Sequence, residues 1–195
     1  DKYDTQLNPQ NKLYMQYRKR HLALLLIVGF FGCNRDSNEV VGSIDDSKTN
    51  ANLYDYSLTD INASSVTYGE DIDPGYFGNQ VTVHYFGHQA WGLCATRVGN
   101  LDDLYNDLLD NGINNVQIIT IGKSEYSSAS GDWADEYSLP VLIDPSPYNT
   151  WSNWGAEQRD LFFLDSNGNY VTDFNISSWD YDKIYTTILD LSSPW

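Results

Sequence analysis

A run of β-branched and aromatic residues, Val81–Phe86, is followed by a short loop, a long amphipathic segment and a second apolar run, Val116–Ile121. This spacing constrains the fold more than any other feature. Two buried strands joined by one helix form a parallel pair with a helical crossover. Between Leu93 and Asn111, the residues Val98, Leu101, Leu104, Tyr105, Leu108 and Leu109 recur at intervals of three and four. Asn111-Gly112 supplies the helix stop.

The same reading extends along the chain. Tyr54–Ile61 is a short first strand, and 69–79 is a loop rich in Gly, Pro and Asp. Helical character around 129–137 is weak. Leu139–Ile143 reads as a strand that begins with a proline, and Tyr148–Trp154 as a short helix. Asn167-Gly168 between Asp160–Leu164 and Tyr170–Phe174 predicts a hairpin. Asp180–Leu191 is a terminal helix with Tyr181, Ile184, Tyr185, Ile188 and Leu189 on one face. The order predicts an α/β domain, with a central mixed β-sheet flanked by helices and a C-terminal β-hairpin and helix.

Three regions are expected: 1–33 as an N-terminal extension and signal peptide, 34–52 as a flexible tether, and 53–195 as the folded domain. Arg18-Lys19-Arg20 precedes an apolar stretch ending in Gly32-Cys33, the pattern of a secretory signal. The stretch is short for a membrane span. Met15 stands just before the basic run, so 1–14 reads as an upstream extension or a misplaced start. The Gly-Cys end resembles a bacterial lipoprotein signal, with Cys33 as the lipidated residue. Phe30 and Phe31 depart from that pattern, and ordinary cleavage stays open. Residues 34–52 are polar and aperiodic.

The net charge is −16, and residues 34–195 carry six basic and twenty-five acidic side chains. Such a surface repels phosphate backbones, so no nucleic-acid partner is expected. It reads as a solubilising surface. No phosphate loop, Ser-His-Asp arrangement or zinc-cysteine cluster occurs, and His84 and His88 lack a third metal ligand.

The segment Val81–Leu109, with Tyr85-Phe86-Gly87-His88-Gln89-Ala90-Trp91-Gly92-Leu93-Cys94, resembles the strand–loop–helix unit of redoxins. Leu139-Pro140-Val141 resembles the cis-proline strand of that family. Thr150-Trp151 through Gly168 is similar to its later part. The combination looks like the thioredoxin-like superfamily, especially the domain of selenoprotein P and bacterial redoxin lipoproteins, over residues 54–191.

The resemblance implies a thioredoxin-like fold and an extracytoplasmic thiol-disulfide oxidoreductase or thiol peroxidase, periplasmic or anchored to the outer membrane. It implies no organic cofactor. Partners would be a thiol or disulfide protein or a small peroxide, with membrane anchoring through Cys33. The family's redox motif is Cys or selenocysteine, two residues, then Cys, at a helix start. That position favours a thiolate through free amides and partial positive charge. Here Trp91 occupies the first position and Cys94 the second. An indole cannot form a disulfide. Residue 91 is therefore either a degenerate site or a selenocysteine position, because UGA and the tryptophan codon UGG differ by one base.

Cys94 has two readings, a resolving or reactive thiol and an inert packed cysteine. His88 either tunes the thiol or bonds within its loop. The resemblance makes Pro140 a cis proline whose neighbour Leu139 exposes backbone to substrate. Trp151 and Trp154 read as core, with groove lining second. Asp144, Asp160 and Asp165 read as turn or solubilising residues. Three functions stay open: a redox enzyme with its attacking group at 91, a one-cysteine enzyme using Cys94, and a binding or scaffold module that lost the chemistry.

Overall fold

The computed structural model describes residues 53–134 and 137–193. The expected signal segment, Cys33 and the tether lie outside the described residues. Strand β1 (Leu58–Thr59) pairs antiparallel with β2 (Asp71–Ile72) as a separate two-stranded ribbon. The main sheet contains β3 (Val81–Phe86), β4 (Val116–Lys123), β5 (Val141–Asp144), β6 (Asp160–Leu164) and β7 (Tyr170–Asn175). Its spatial order is β5-β4-β3-β6-β7. β3, β4 and β5 are mutually parallel neighbours, while β6 and β7 run antiparallel.

Helix α1 (Gly92–Asp110) makes the crossover from β3 to β4. A 3₁₀ segment (Ser124–Ala129) and α2 (Gly131–Ala134) follow β4, α3 (Asn149–Trp154) follows β5, and α4 (Tyr181–Ser192) ends the domain. The mixed, helix-flanked sheet is the expected one. The first strand is shorter than Tyr54–Ile61, and the loop after it contains β2.

Alternation along the strands divides the core. Val81, Val83 and Tyr85 of β3 face Val98, Leu101, Leu104 and Leu108 of α1 and Ile184 and Ile188 of α4. Each such fully buried aliphatic side chain stabilises the fold by about 1.5–3 kcal/mol. Phe86, Ile119, Ile121 and Phe162 face Trp151 and Trp154 on the other side. Both tryptophans are therefore core residues. Leu109 departs from the predicted stripe: it is 40% exposed, because adjacent residues on a helix point about 100° apart and Leu108 takes the inward position.

The edge of β5 is covered by the chain before β2. Ile61 N donates to Val141 O at 2.9 Å. The buried carboxylate of Asp60 accepts from the backbone N–H groups of Asn62 and Val141 and from Thr67 Oγ1, at 2.8–2.9 Å. Removing one carboxylate orphans three donors, each costing about 1–3 kcal/mol, partly offset by relief of a buried charge. Asp60→Ala should therefore destabilise the domain by about 3 kcal/mol, read from urea unfolding midpoints. A loss below about 1 kcal/mol would show that water replaces the carboxylate.

Candidate redox site at the start of helix α1

The carboxyl ends of β3, β4 and β5 open onto one edge of the sheet, where the loop Gly87–Ala90 leads into α1. Crevices at such strand ends are the usual ligand sites of parallel sheets. Two close approaches hold the loop. A Cβ at Gly87 would meet Trp133 and Tyr85 at 2.8 Å, and one at Gly122 would meet the buried Gln89 side chain at 2.2 Å. Glycine at both positions lets the loop lie flat on β4 and α2.

Trp91 is the N-cap of α1, with extended backbone (φ −112°, ψ 118°), and it is 53% exposed. Serine or aspartate would accept from the first-turn amides there, but an indole offers no acceptor. The helix start has no side-chain cap and no acidic residue in its first turn. Cys94 lies one turn on. Its N–H donates to Trp91 O at 2.8 Å, and its side chain is completely buried. Cys94 is a free thiol. Position 91 thus faces solvent and position 94 lies beneath it.

Gln158 and Tyr85 surround the sulfur. Gln158 Nε2 donates to Cys94 Sγ at 3.2 Å. The Tyr85 phenol is pushed far above its ordinary value, first by burial and then by the adjacent Cys94. Gln158 and Arg159 immediately precede β6, and Arg159 N donates to Phe86 O at 2.7 Å. Arg159 has φ +75°, a left-handed conformation that few non-glycine residues adopt.

His88 is half-buried beside Trp91, with ring centroids 6.0 Å apart and an edge-on arrangement. It also packs on Tyr126 at 4.6 Å and Trp151 at 5.3 Å. Burial, then Lys123, lower its pKa, with Arg159 acting in the same direction and Glu125 opposing. Its Nδ1 is buried without a hydrogen-bond partner. The structure thus brings Trp91, Cys94 and His88 to one place.

Leu139 and Pro140 require correction. The cis peptide bond among the described residues is Ser146–Pro147, and the Leu139–Pro140 bond is trans. Their backbone is also already occupied. Leu139 O accepts from Asn62 Nδ2 at 2.7 Å, and Pro140 O accepts from both Thr120 N and Thr120 Oγ1 at 2.9 Å. Both residues are buried. The backbone that contributes the polar neighbour of Cys94 precedes β6, not Val141. Asp144 is likewise no solubilising residue: it is 2% exposed, and its Oδ2 accepts from Trp151 N at 3.0 Å, capping α3. Asp165 does form the turn, accepting from Asn167 N and Asn169 N at 2.9 Å.

Arg97, Gln158 and Arg159 are not among the site residues expected from the sequence, and Tyr85 enters there only as part of the redoxin-like segment. The signal for the two arginines was their rarity in so acidic a chain. Among the described residues no three His, Cys, Asp or Glu side chains are placed to hold a metal ion. No helix among them is long and apolar enough to cross a membrane.

The architecture is that of the thioredoxin-like class. No family model matches the chain, and no curated protein matches it. Solved structures do. A secreted Mycobacterium tuberculosis disulfide oxidoreductase, described as homologous to E. coli DsbE, shares 15% identity at a TM-score of 0.56, covering 71% of this chain and 97% of that one. The pneumococcal exposed lipoprotein thioredoxin Etrx1 from Streptococcus pneumoniae shares 18% at 0.56, covering 70% and 99%. StoA from Bacillus subtilis shares 14% at 0.52, covering 68% and 94%. At these identities the likeness establishes the fold.

Proposed function

We propose that the domain is a thiol-disulfide redox protein whose attacking group belongs at position 91, with Cys94 as the resolving thiol. One observation carries this reading: an uncapped helix start presents residue 91 to solvent directly above a buried thiol. A selenolate or thiolate at 91 would accept from the free amides that tryptophan leaves without a side-chain acceptor.

In the proposed reaction the anion at 91 attacks one sulfur of a substrate disulfide. The S–S bond breaks, and the departing thiolate keeps the bonding pair and takes a proton. Cys94 then loses its proton and attacks residue 91. The second substrate thiolate leaves, and a bond joins 91 to 94. Two electrons have passed to the substrate, and a partner dithiol protein returns them. His88, kept neutral by burial and neighbouring cations, takes the proton of the group at 91.

The reading includes selenocysteine as the encoded residue at 91, export of the chain and tethering through Cys33. A UGA triplet at position 91 supports recoding, and UGG opposes it. Independently, oxidised Trp91→Cys should lose two hydrogens by intact mass and regain them with dithiothreitol, since Cα atoms three residues apart at a helix start lie about 5 Å apart, within the roughly 4.4–6.8 Å that a disulfide spans. Failure to close that bond under oxidant would remove Cys94 as resolver.

The half-exposed indole favours a second reading, a binding module that retains the fold and uses Trp91 as its contact. That reading requires Trp91→Cys to be inactive toward disulfides and Trp91→Ala to lose the partner.

A further inference from the structure

Basic residues in the domain are placed against the charge of the whole chain. Residues 53–195 contain twenty-one acidic residues and four basic ones: Arg97, Lys123, Arg159 and Lys183. Three of the four border the candidate site. Arg97 lies one turn after Cys94 on α1. Arg159 follows Gln158, whose amide reaches the Cys94 sulfur. The two guanidinium groups converge on Ser177: Arg97 Nη2 donates to its carbonyl and Arg159 Nε to its hydroxyl, each at 2.7 Å. Lys123, at the end of β4, holds Nζ 4.6 Å from the Trp151 ring centroid, and Trp151 packs on His88.

Among the described residues, carbonyl and hydroxyl oxygens hold the two arginines, and ring faces hold Lys123, which also sits opposite Asp144 across the β4–β5 pair. Burial raises the pKa of Asp144, and Lys123 acts to lower it. Glu125 and Asp144 are the acidic groups near Lys123 among the described residues, and Glu157 and Asp160 flank Gln158-Arg159, where Asp160 accepts from Glu157 N and Asn175 Nδ2. Asp144 is turned to Trp151 N, and Glu125 acts on His88 against Lys123 and Arg159. Three of the domain's four cations thus lie on the elements that surround Cys94 and His88: Arg97 buried on α1, Arg159 just before β6 and Lys123 at the end of β4.

Resting on the redox reading, we infer that this site selects disulfides that carry a carboxylate close to sulfur. The cationic border attracts such an anion to residue 91 while the rest of the surface repels it, so capture is local. The bulk charge alone dictates the opposite order, with cationic disulfides preferred. The sign of the selectivity therefore decides between them.

Two measurements keep the inference separate from the reading beneath it. In the first, the full chain with Trp91 is titrated at low salt with dithiodipropionate (dianion), hydroxyethyl disulfide (neutral) and cystamine (dication), following the Trp91 indole N–H by NMR. The dianion should shift that resonance at about tenfold lower concentration than the neutral compound, and the preference should collapse near 1 M salt, where screening acts over about 3 Å. Arg159→Gln should erase most of it, whereas Lys183→Gln, on α4 with its Nζ over the Phe174 ring, should leave the ranking intact.

In the second, Trp91→Cys is assayed for reduction of the same three compounds, and the dianion should again lead. Tightest binding by cystamine, or a ranking untouched by Arg159→Gln, overturns the inference. Turnover that favours cystamine overturns it while sparing the redox reading. Anion-selective binding without turnover of any disulfide overturns the redox reading while sparing the selectivity.

Discussion

Trp91→Cys should reduce a protein disulfide, with dithiothreitol in excess, about a hundredfold or more faster than the chain carrying Trp91. The starting chain is slow because its thiol is inaccessible: Cys94 is completely buried, packed against Tyr85 and bonded by Gln158. A thiol at 91 is exposed and sits at an uncapped helix start, so its thiolate is both formed and reachable. Cys94 then raises turnover by resolving the mixed disulfide within the molecule, a step favoured over external thiol by high effective concentration. Adding Cys94→Ser to Trp91→Cys should stall the enzyme as a mixed disulfide visible by mass. The Trp91→Cys substitution should cost little stability, because the indole is 53% exposed and its ring pair with His88 is an edge-on one at 6.0 Å. Equal rates for the chains with and without Trp91 would dismiss position 91 as the attacking site, and no effect of Cys94→Ser in the Trp91→Cys background would remove Cys94 as the resolving thiol.

The crossover from β3 through α1 to β4 was legible because strand and helix periods are local properties. The hairpin was legible for the same reason, since Asn167-Gly168 encodes its own turn, with Gly168 at φ +79°. The site was half legible. Trp91, His88 and Cys94 share one loop and helix start, so sequence proximity is spatial proximity. The opposing wall was misread.

A strand beginning Leu-Pro-Val looked like the partner of that loop. The wall is instead set by which strand runs antiparallel beside β3, and long-range pairing of β6 with β3 decides that. No local pattern in Gln158-Arg159 announces it. Asp144 was misread for a similar reason. Asp-Pro-Ser-Pro is turn-like composition, and its carboxylate becomes a buried cap only when α3 folds back.

Acid should destabilise the domain through His84 over a defined window. This imidazole sits in the middle of β3, fully buried against Tyr56 and Trp154, and burial depresses its pKa from 6.5 to about 3. Tyr56 Oη lies 2.9 Å from Nε2, while Nδ1 has no partner in either tautomer. Above pH 6.5 both folded and unfolded states hold His84 neutral, and its contribution to stability is intact. Below 6.5 the unfolded chain takes up a proton that the folded chain refuses, so stability falls with pH until about 3. The slope is about 1.4 kcal/mol per pH unit, and the whole window amounts to about 4–5 kcal/mol, a large part of a typical domain's stability.

Twenty-seven acidic residues also titrate on this path. A comparison with His84→Leu/Tyr56→Phe cancels them. That pair replaces both buried polar partners by apolar groups of similar size, a change that is nearly neutral at pH 7. Urea unfolding of the two chains should therefore diverge in favour of the double variant by about 1.4 kcal/mol for each unit between pH 6 and 4. Parallel stability curves would mean that His84 is protonated inside the fold, with Tyr56 Oη as its acceptor.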